Sequence, residues 1–308
     1  MIALSKPKFW DKKLSIISVM LLPFSLLFFL LVFFRKKFTK VKIFKIPIIC
    51  VGNIYIGGTG KTPISILLAN EIAKLGKKTA ILRKFYKNHK DEHSLIKKNF
   101  KNLILTQSRV DELKKIEKSN FDLVILDDGF QDYEIRKDIS ILCFNQNQLI
   151  GNGLILPAGP LRETLNALKD ADIVIINGNK NKNFEKKILN INNKIEFFYS
   201  SYQPINLQEF KLKRLFAVAG IGNPENFFQL LEKNNLNIAK KIIFPDHYKF
   251  SKDEIDNILE QAEKENSQVI MTEKDYFKIK NFKLKKLKYL KVSLKINNQD
   301  KLIKKRYR

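Results

Sequence analysis

The stretch Gly52–Pro63 reads GNIYIGGTGKTP. This stretch follows an apolar run typical of a buried strand and precedes an amphipathic run typical of a helix, the usual setting of a phosphate-binding loop. Gly60–Thr62 supply the Gly-Lys-Thr end of that pattern. Tyr55 stands at its first position, where glycine is usual, and Gly57 and Gly58 follow it closely. An ordinary glycine-rich turn is the alternative, so the interpretation depends on motifs elsewhere in the chain.

A loop of this kind would bind the phosphates of a nucleotide. Its backbone N–H groups and the positive end of the following helix attract phosphate oxygens. Lys61 would neutralise the γ-phosphate, and the hydroxyl of Thr62 would ligate Mg²⁺. The residues predicted to contact ATP are Tyr55, Ile56, Gly57, Gly58, Thr59, Gly60, Lys61 and Thr62.

Two further motifs carry candidate metal and phosphate ligands. In FDLVILDDGFQ an apolar strand runs into Asp127 and Asp128, and a parallel α/β sheet binds its ligands at the carboxyl ends of its strands. Both carboxylates are predicted to hold Mg²⁺, directly or through water. In LPAGPLRE a rigid loop ends in Arg162, which suits a phosphate in transfer, and Glu163, which suits the metal. An ordinary surface contact is the alternative for this Arg-Glu pair. Together with the upstream loop, the aspartate pair predicts nucleotide binding rather than an ordinary strand-ending turn.

The order of the apolar runs predicts an α/β fold. Strand-like runs alternate with helical ones from the glycine loop onward, a pattern typical of a parallel sheet covered on both faces. A polar stretch rich in Asn and Lys then leads to a second, shorter βαβ series. The sequence predicts a P-loop NTPase-like domain over residues 41–205 and a smaller α/β domain over residues 206–308.

The N-terminal segment, residues 1–40, stands apart and is predicted to be a membrane anchor. Leu14–Phe34 contains no charged residue, follows Lys12 and Lys13, and is followed by Arg35, Lys36 and Lys37. A helix of that length spans about 31 Å, roughly the hydrocarbon core of a bilayer. Pro23 would kink this helix without excluding it. A cleaved signal peptide is the main alternative, but the run is long for one and no small-residue cleavage site follows.

Composition narrows the classes of partner. The chain of 308 residues carries a formal net charge of +26. Its basic residues are spread along the chain rather than gathered into a stripe, which argues against nucleic acid and leaves an anionic membrane surface or compositional bias. Cys50 and Cys143 lie in or beside apolar runs and are predicted to be small core residues of a reduced, intracellular protein.

The motifs taken together resemble one known family. In this order, and behind an apolar N-terminal segment, GNIYIGGTGKTP, DDGFQ, LPAGPLRE, AGIGNPENFF, FPDHY and MTEKD are similar to the tetraacyldisaccharide 4'-kinases of lipid A biosynthesis in Gram-negative bacteria. The resemblance covers nearly the whole chain. It implies transfer of the γ-phosphoryl group of ATP to the 4'-hydroxyl of a tetraacylated glucosamine disaccharide 1-phosphate. It also implies two α/β/α domains around a cleft, with the smaller one closing the active site.

The resemblance also assigns roles to individual residues. It implies that Asp91, in KDEHSL, and His247, in FPDHY, activate the acceptor hydroxyl, because a sugar hydroxyl needs a base to accept its proton as the bond to phosphorus forms. From the residues alone both would be interpreted as ordinary surface side chains. The implied catalytic residues are Lys61, Asp91, Arg162 and His247, and the implied metal ligands are Thr62, Asp127, Asp128 and Glu163.

Several positions depart from the family's pattern. Leu82–Tyr86 reads LRKFY where Ser-Arg-Gly-Tyr-Gly is usual. Lys90 replaces a glycine, Asp132 replaces a histidine, and Tyr55 replaces a small residue. The assignment of Asp91 depends on this altered loop.

The alternative from another class is a membrane-associated P-loop ATPase that acts as a switch on protein partners. Such a protein needs the P-loop, the aspartate pair and the anchor, but it requires neither LPAGPLRE nor FPDHY. The sequence therefore predicts an ATP- and Mg²⁺-dependent lipid kinase. Its expected partners are ATP, the lipid A disaccharide precursor and the anionic inner leaflet of the bacterial inner membrane, without nucleic acid. Because ATP is cytosolic, the catalytic domains are expected on the cytoplasmic face.

Overall fold

The computed structural model describes residues 7–13, 15–86, 90–246, 248–282, 284 and 286–307, with the backbone alone described at 90, 91 and 304–307. The strands of the described residues are β1 (Ile48–Gly52), β2 (Thr79–Lys84), β3 (Leu103–Thr106), β4 (Leu123–Asp127), β5 (Ile139–Asn145), β6 (Ile173–Asn177), β7 (Glu196–Pro204), β8 (Arg214–Ala219), β9 (Asn237–Ile243), β10 (Ser267–Thr272), β11 (Lys288–Leu290) and β12 (Val292–Ile296). Their helices are α1 (Ile16–Met20), α2 (Leu22–Phe38), α3 (Lys61–Lys74), α4 (Lys90–Asn99), α5 (Arg109–Ile116), α6 (Lys182–Leu189), α7 (Pro224–Lys233), α8 (Lys252–Lys264), α9 (Glu273–Ile279) and α10 (Gln299–Tyr307).

The larger sheet has the strand order β12-β7-β6-β5-β1-β4-β2-β3. Every pair from β7 to β3 in this order is parallel. All residues of β1, β4, β5 and β6 are buried, as expected of parallel strands covered on both faces. The predicted α/β fold with a large parallel sheet is confirmed.

The core of the larger sheet follows from the alternation of side chains along its strands. Cys50 of β1 and Leu126 of β4 belong to one apolar cluster with Leu113 of α5 and Phe184 of α6. The helix α3 packs on β1, β2 and β4. Both cysteine thiols are buried, and burial raises the pKa of Cys50 to about 12. The cysteines are therefore core residues, as the apolar runs predicted.

The smaller sheet has the order β11-β10-β8-β9, and its strands are parallel to one another. Successive side chains of β8 point to opposite faces. Leu215 and Ala217 pack with Phe228 of α7, whereas Phe216 and Val218 pack in a cluster to which α8 contributes. The second βαβ series seen in the sequence thus forms a sheet covered on both faces.

The described chain divides into two compact units that are discontinuous in sequence. The larger unit contains residues 7–85, 99–201 and 296–307, and the smaller one contains residues 86–98 and 202–295. The sequence predicted continuous segments divided near residue 206. The two differences are the segment around α4, which groups with the smaller unit, and the chain from residue 296 onward, which groups with the larger one.

The N-terminal apolar segment forms two helices, whereas the sequence predicted one helix over residues 14–34. The short helix α1 ends at Met20, and α2 begins at Leu22 with Pro23 in its first turn. Proline cannot donate a backbone hydrogen bond and its ring crowds the preceding turn, so it starts a helix more readily than it continues one. None of the helices in the described part of the chain has both the length and the apolar character that crossing a membrane requires.

The two N-terminal helices place small polar residues inward and large apolar residues outward. The side chains of Ser18 and Ser25 are buried. The Ser25 hydroxyl donates to the carbonyl of Ile155 at 3.0 Å and accepts from the N–H of Ala158 at 2.9 Å. The exposed large apolar residues of this region are Ile16, Ile17, Val19, Met20, Leu22, Phe24, Leu26, Leu27, Leu30, Leu31, Phe33, Phe34 and Phe38. We call this set the apolar face of α1 and α2.

Candidate active site

The glycine loop between β1 and α3 is shaped by its own backbone and by one asparagine. Gly57 and Gly60 have φ angles of 109° and 87°, a region that glycine adopts without steric cost. The side-chain amide of Asn53 donates to the Tyr55 carbonyl at 2.5 Å and to the Thr59 hydroxyl at 3.0 Å. Sequence analysis missed Asn53, although its position directly after a buried strand was a visible signal. These contacts stabilise the loop at the N-terminus of α3, where phosphate is favoured.

The glycine loop is joined to the LPAGPLRE segment by backbone hydrogen bonds. The N–H of Ile56 donates to the Pro160 carbonyl at 2.9 Å, and the N–H of Arg162 donates to the Ile54 carbonyl at 2.7 Å. The two segments therefore form one rigid unit at the carboxyl ends of β1 and β4. This unit places Arg162 beside the glycine loop.

Two cations converge on Asp128. Its carboxylate lies 3.7 Å from the Lys61 amine and 3.1 Å from the Arg162 guanidinium. Burial alone would raise the pKa of Asp128, but the charges of Lys61 and Arg162, followed by Arg83 and Arg109, outweigh it and lower that pKa. Asp128 is therefore a stable anion that fixes two cations where a phosphoryl group would be transferred.

Asp127 is wholly buried and engaged at both carboxylate oxygens. One oxygen accepts from the Ser65 hydroxyl at 2.9 Å, and the other accepts from the Thr62 hydroxyl at 3.2 Å. The Arg83 guanidinium pairs with that second oxygen and donates to the Thr62 hydroxyl at 3.1 Å. The structure thus brings together the predicted metal ligands Thr62 and Asp127, and it adds Arg83 to them.

Glu163 is also buried next to this group. It accepts a hydrogen bond from the Gln131 amide at 3.0 Å, and Gln131 in turn lies 3.4 Å from the Arg162 guanidinium. Gln131 therefore links Arg162 and Glu163, the last two residues of LPAGPLRE, to the DDGFQ turn. All three motifs of the larger unit meet at one edge of its sheet.

Comparison with known proteins decides between the two sequence-based interpretations of this site. A family model described as tetraacyldisaccharide-1-P 4'-kinase, LpxK, matches residues 17–307. The chain belongs to the tetraacyldisaccharide 4'-kinase family. Membership confirms the predicted family and the predicted activity, a kinase that acts on the lipid A precursor, and does not favour the switch ATPase.

Individual relatives extend over almost the whole chain. The tetraacyldisaccharide 4'-kinase of Pelagibacter ubique is 41% identical over 306 residues, covering 97% of this chain and 96% of the relative. That of Rickettsia akari is 33% identical, with coverage of 97% and 96%. The crystal structure of the "apo" form LpxK from Aquifex aeolicus in complex with ATP gives a TM-score of 0.70 at 24% identity, covering 94% of this chain and 98% of that one. The likeness to that structure shows a shared fold.

Two departures from the 4'-kinase pattern now have physical explanations. The Tyr55 side chain is wholly buried in the core cluster of the larger unit, so its bulk does not face the loop and only its backbone is available to a nucleotide. Asp132, in place of the usual histidine, pairs with the buried Arg109. Arg109 also donates to the carbonyls of Asp127 and Asp128 at 2.5 and 3.2 Å.

Arg109 is a second functional residue that sequence analysis missed. Asp128 has a φ of 55°, which is an uncommon conformation for a residue other than glycine. Because the Arg109 guanidinium binds the carbonyls on either side of this peptide, it stabilises the strained turn that carries the aspartate pair. Its only sequence signal was an arginine in a loop-to-helix transition, which is far too common to single out.

Neither of the two side chains predicted to activate the acceptor hydroxyl is described. His247 lies outside the described residues, and the side chain of Asp91, in α4, lies outside them as well. Their chain neighbours Asp246 and Glu92 both contact the Lys274 amine, at 3.2 and 3.3 Å. Within the smaller unit, the segments that carry Asp91 and His247 are therefore tied to the same lysine.

The donor set of the 4'-kinase site fits a magnesium ion that arrives with phosphates. The described residues contain no group of three or more His, Cys, Asp and Glu side chains able to hold a metal by themselves. In phosphoryl-transfer sites Mg²⁺ is held by one or two carboxylates and completes its shell with water and substrate phosphates. The Thr62 hydroxyl and the carboxylates of Asp127 and Asp128 form a donor set of that kind.

Proposed function

We propose that the protein transfers the γ-phosphoryl group of ATP, with Mg²⁺, to the 4'-hydroxyl of a tetraacylated glucosamine disaccharide 1-phosphate. The observation that carries this proposal is the convergence of Lys61 and Arg162 on Asp128, beside the glycine loop, in a chain that belongs to the 4'-kinase family. The site lies at the carboxyl ends of parallel strands, where open α/β sheets bind their ligands.

The chain's own residues would act mainly through position and charge. Phosphoryl transfer spreads negative charge over the equatorial oxygens, so preorganised cations stabilise its transition state. Lys61 and Arg162 would supply that charge, with Asp128 fixing both before the nucleotide binds. Thr62, Asp127, Asp128 and Glu163 would hold Mg²⁺, which would supply positive charge to the phosphates when bound.

Turnover measurements with and without the lipid acceptor test this proposal. The full-length protein in detergent micelles would be given Mg²⁺–ATP and the tetraacylated disaccharide 1-phosphate. We expect ADP formation to require the acceptor and to equal the amount of phosphorylated lipid. ADP formation that ignores the lipid and responds only to an added protein partner would support the switch ATPase instead.

We also propose that Asp91 and His247 activate the acceptor hydroxyl. Replacing either with alanine should lower kcat at least about a hundredfold, because general-base catalysis typically contributes that much or more. The measurement is steady-state lipid phosphorylation at saturating ATP. Tyr248→Phe is a matched control, since Tyr248 follows His247 and its hydroxyl is bound to Glu254 at 2.5 Å. A loss below about tenfold in both alanine variants would return these residues to ordinary surface roles.

The N-terminal helices support a further proposal, that the protein binds the membrane through the apolar face of α1 and α2. Contiguous exposed apolar surface of this kind marks interaction sites. Arg35, Lys36 and Lys37 lie in the last turn of α2, and cations beside an apolar face favour an anionic interface. With cytosolic ATP as the donor, the catalytic units would lie on the cytoplasmic face of the inner membrane. The acyl chains of the acceptor would then stay in the bilayer.

Charge placed on the apolar face should release the protein from membranes. Leu27 and Leu31 are more than half exposed, so a Leu27→Asp, Leu31→Asp double variant should fold normally. Its affinity for vesicles containing anionic phospholipid should fall about a hundredfold, because aspartate is strongly disfavoured in apolar lipid. Flotation with vesicles measures this affinity. Leu105→Asp with Leu212→Asp, at exposed leucines elsewhere, should leave it unchanged, and equal loss in both double variants would contradict the proposal.

A further inference from the structure

The predicted metal ligands already hold an internal cation. The Arg83 guanidinium pairs with Asp127 and donates to Thr62 through the same terminal nitrogen, Nη1. The two acceptor atoms, the Asp127 Oδ2 and the Thr62 Oγ1, are themselves only 3.2 Å apart. The Arg83 guanidinium therefore donates hydrogen bonds to the Thr62 Oγ1 and the Asp127 Oδ2, the two oxygens that would otherwise be offered to a divalent cation.

We propose that Arg83 compensates the charge of Asp127 in the nucleotide-free protein and so excludes a lone divalent cation, which makes Mg²⁺ enter together with the nucleotide. Arg83 is in this sense a positioning residue, because it acts on Mg²⁺ through its hold on Asp127 and Thr62. The inference rests on the proposed function only in assuming that the glycine loop binds a nucleotide.

Burial explains why Asp127 needs such a partner. Its carboxylate is fully buried and the Arg83 side chain is 4% exposed. A buried carboxylate without a counter-charge is strongly destabilising, whereas a paired and hydrogen-bonded one is tolerated. The remaining oxygen of Asp127 accepts from Ser65. The negative charge of Asp127 is therefore already balanced by Arg83, without a metal ion.

The charges nearby reinforce this exclusion. Asp128 is paired with both Lys61 and Arg162, so the second predicted carboxylate ligand is compensated as well. A lone Mg²⁺ would have to approach these cations with no added negative charge to offset their repulsion. A nucleoside triphosphate brings several negative charges to Lys61 and Arg162, which then favours the entry of a divalent cation.

The position of Arg83 in the sequence and in the sheet supports this role. Arg83 is the residue of LRKFY that keeps the family's usual arginine. It lies in β2, which is parallel to β4, and its register partner in β4 is Asp127. The pairing is thus built into two neighbouring buried strands rather than into the altered loop that follows.

Mn²⁺ binding followed by electron paramagnetic resonance tests the proposal on the full chain in detergent. The nucleotide-free wild-type protein should bind little Mn²⁺ at about millimolar concentration, and addition of ADP should produce one tightly bound ion. R83Q should bind Mn²⁺ without nucleotide about tenfold or more tightly than the wild type, because the uncompensated Asp127 then gains a partner. R83K, which keeps the charge, should restore exclusion.

A double variant and the wild type keep the outcome decisive. R83Q with D127N should lose the Mn²⁺ site that R83Q gains, whereas a general structural disturbance would not depend on Asp127. If R83Q does not fold, the wild type and R83K still decide, since tight nucleotide-free Mn²⁺ binding by either overturns the proposal. The same holds if R83Q folds and gains no affinity. A protein that shows this Mn²⁺ behaviour but phosphorylates no lipid would retain the inference and remove the proposed function.

Discussion

Lys61→Ala is expected to lower phosphoryl transfer by about 10³-fold or more while leaving the fold intact. The loss follows because Lys61 is the first residue of α3 at the glycine loop and points its amine toward Asp128 at 3.7 Å. Cations that contact the transferring group contribute effects of this size in phosphoryl-transfer enzymes. The measurement is kcat for lipid phosphorylation at saturating ATP, together with nucleotide affinity from a binding titration.

Lys74→Ala is the matched control for this variant. Lys74 is the last residue of the same helix, is well exposed, and pairs with Glu71 at 2.6 Å. Its replacement should leave kcat within a factor of about two, since exposed ion pairs contribute little. Near-normal transfer by Lys61→Ala would remove the glycine loop from the catalytic site.

Asp128→Asn is expected to lower kcat by about 10³-fold, because it removes the anion that fixes both Lys61 and Arg162. An amide keeps the size of the side chain but carries no charge, so the two cations would repel each other and lose their common partner. The pKa of Asp128 is lowered by those same cations despite its burial. The carboxylate is therefore ionised at neutral pH, and the substitution removes one negative charge from the site.

Asp138→Asn is a matched control at the opposite edge of the same sheet. Asp138 immediately precedes β5, and its carboxylate accepts from the N–H of Ile48 at 2.7 Å. An asparagine oxygen can accept the same bond, so activity should stay near that of the wild type. Equal losses in Asp128→Asn and Asp138→Asn would show that charge anywhere near the sheet, rather than at the site, determines the rate.

The sequence predicted best where local pattern and tertiary position agree. The strands β1, β4, β5 and β6 are buried throughout and mostly apolar, and the pattern predicted each of them. The helices α4 and α5 are short and rich in charge, the strand β3 has only four residues, and all three were missed. Their helical or extended state depends on capping and on neighbours, as at α5, where the Ser108 side chain accepts from the N–H of Asp111.

The candidate site was predictable as motifs but not as a network. GKT, DDGFQ and LPAGPLRE each pointed to phosphate or metal, and the structure brings them together. Arg83 stood out only as the arginine that the altered LRKFY segment keeps, and Arg109 matched no motif, so neither was predicted as the partner of an aspartate. Such pairings depend on strand register and on which loop ends are adjacent, and no local pattern encodes either of these.

In the N-terminal segment the apolar pattern was clear, but it did not predict the contacts of the polar residues within it. Its apolar run predicted one membrane helix, whereas the structure has two helices, α1 and α2, with two buried serines that the apolar pattern did not single out. Ser25 bonds to the backbone of the LPAGPLRE loop region at Ile155 and Ala158. Deleting the segment would therefore disturb that loop as well as membrane binding, so substitutions on the exposed apolar face separate the two effects.

The position of the transferred phosphate is the most direct test of the central claim. The wild-type protein would be incubated with Mg²⁺–ATP and the tetraacylated disaccharide 1-phosphate, and the purified lipid product examined by correlated ¹H and ³¹P nuclear magnetic resonance. The predicted result is one new phosphomonoester coupled to the proton at carbon 4', with the 1-phosphate unchanged. A product phosphorylated at any other hydroxyl, or the release of inorganic phosphate with no change in the lipid, would contradict it.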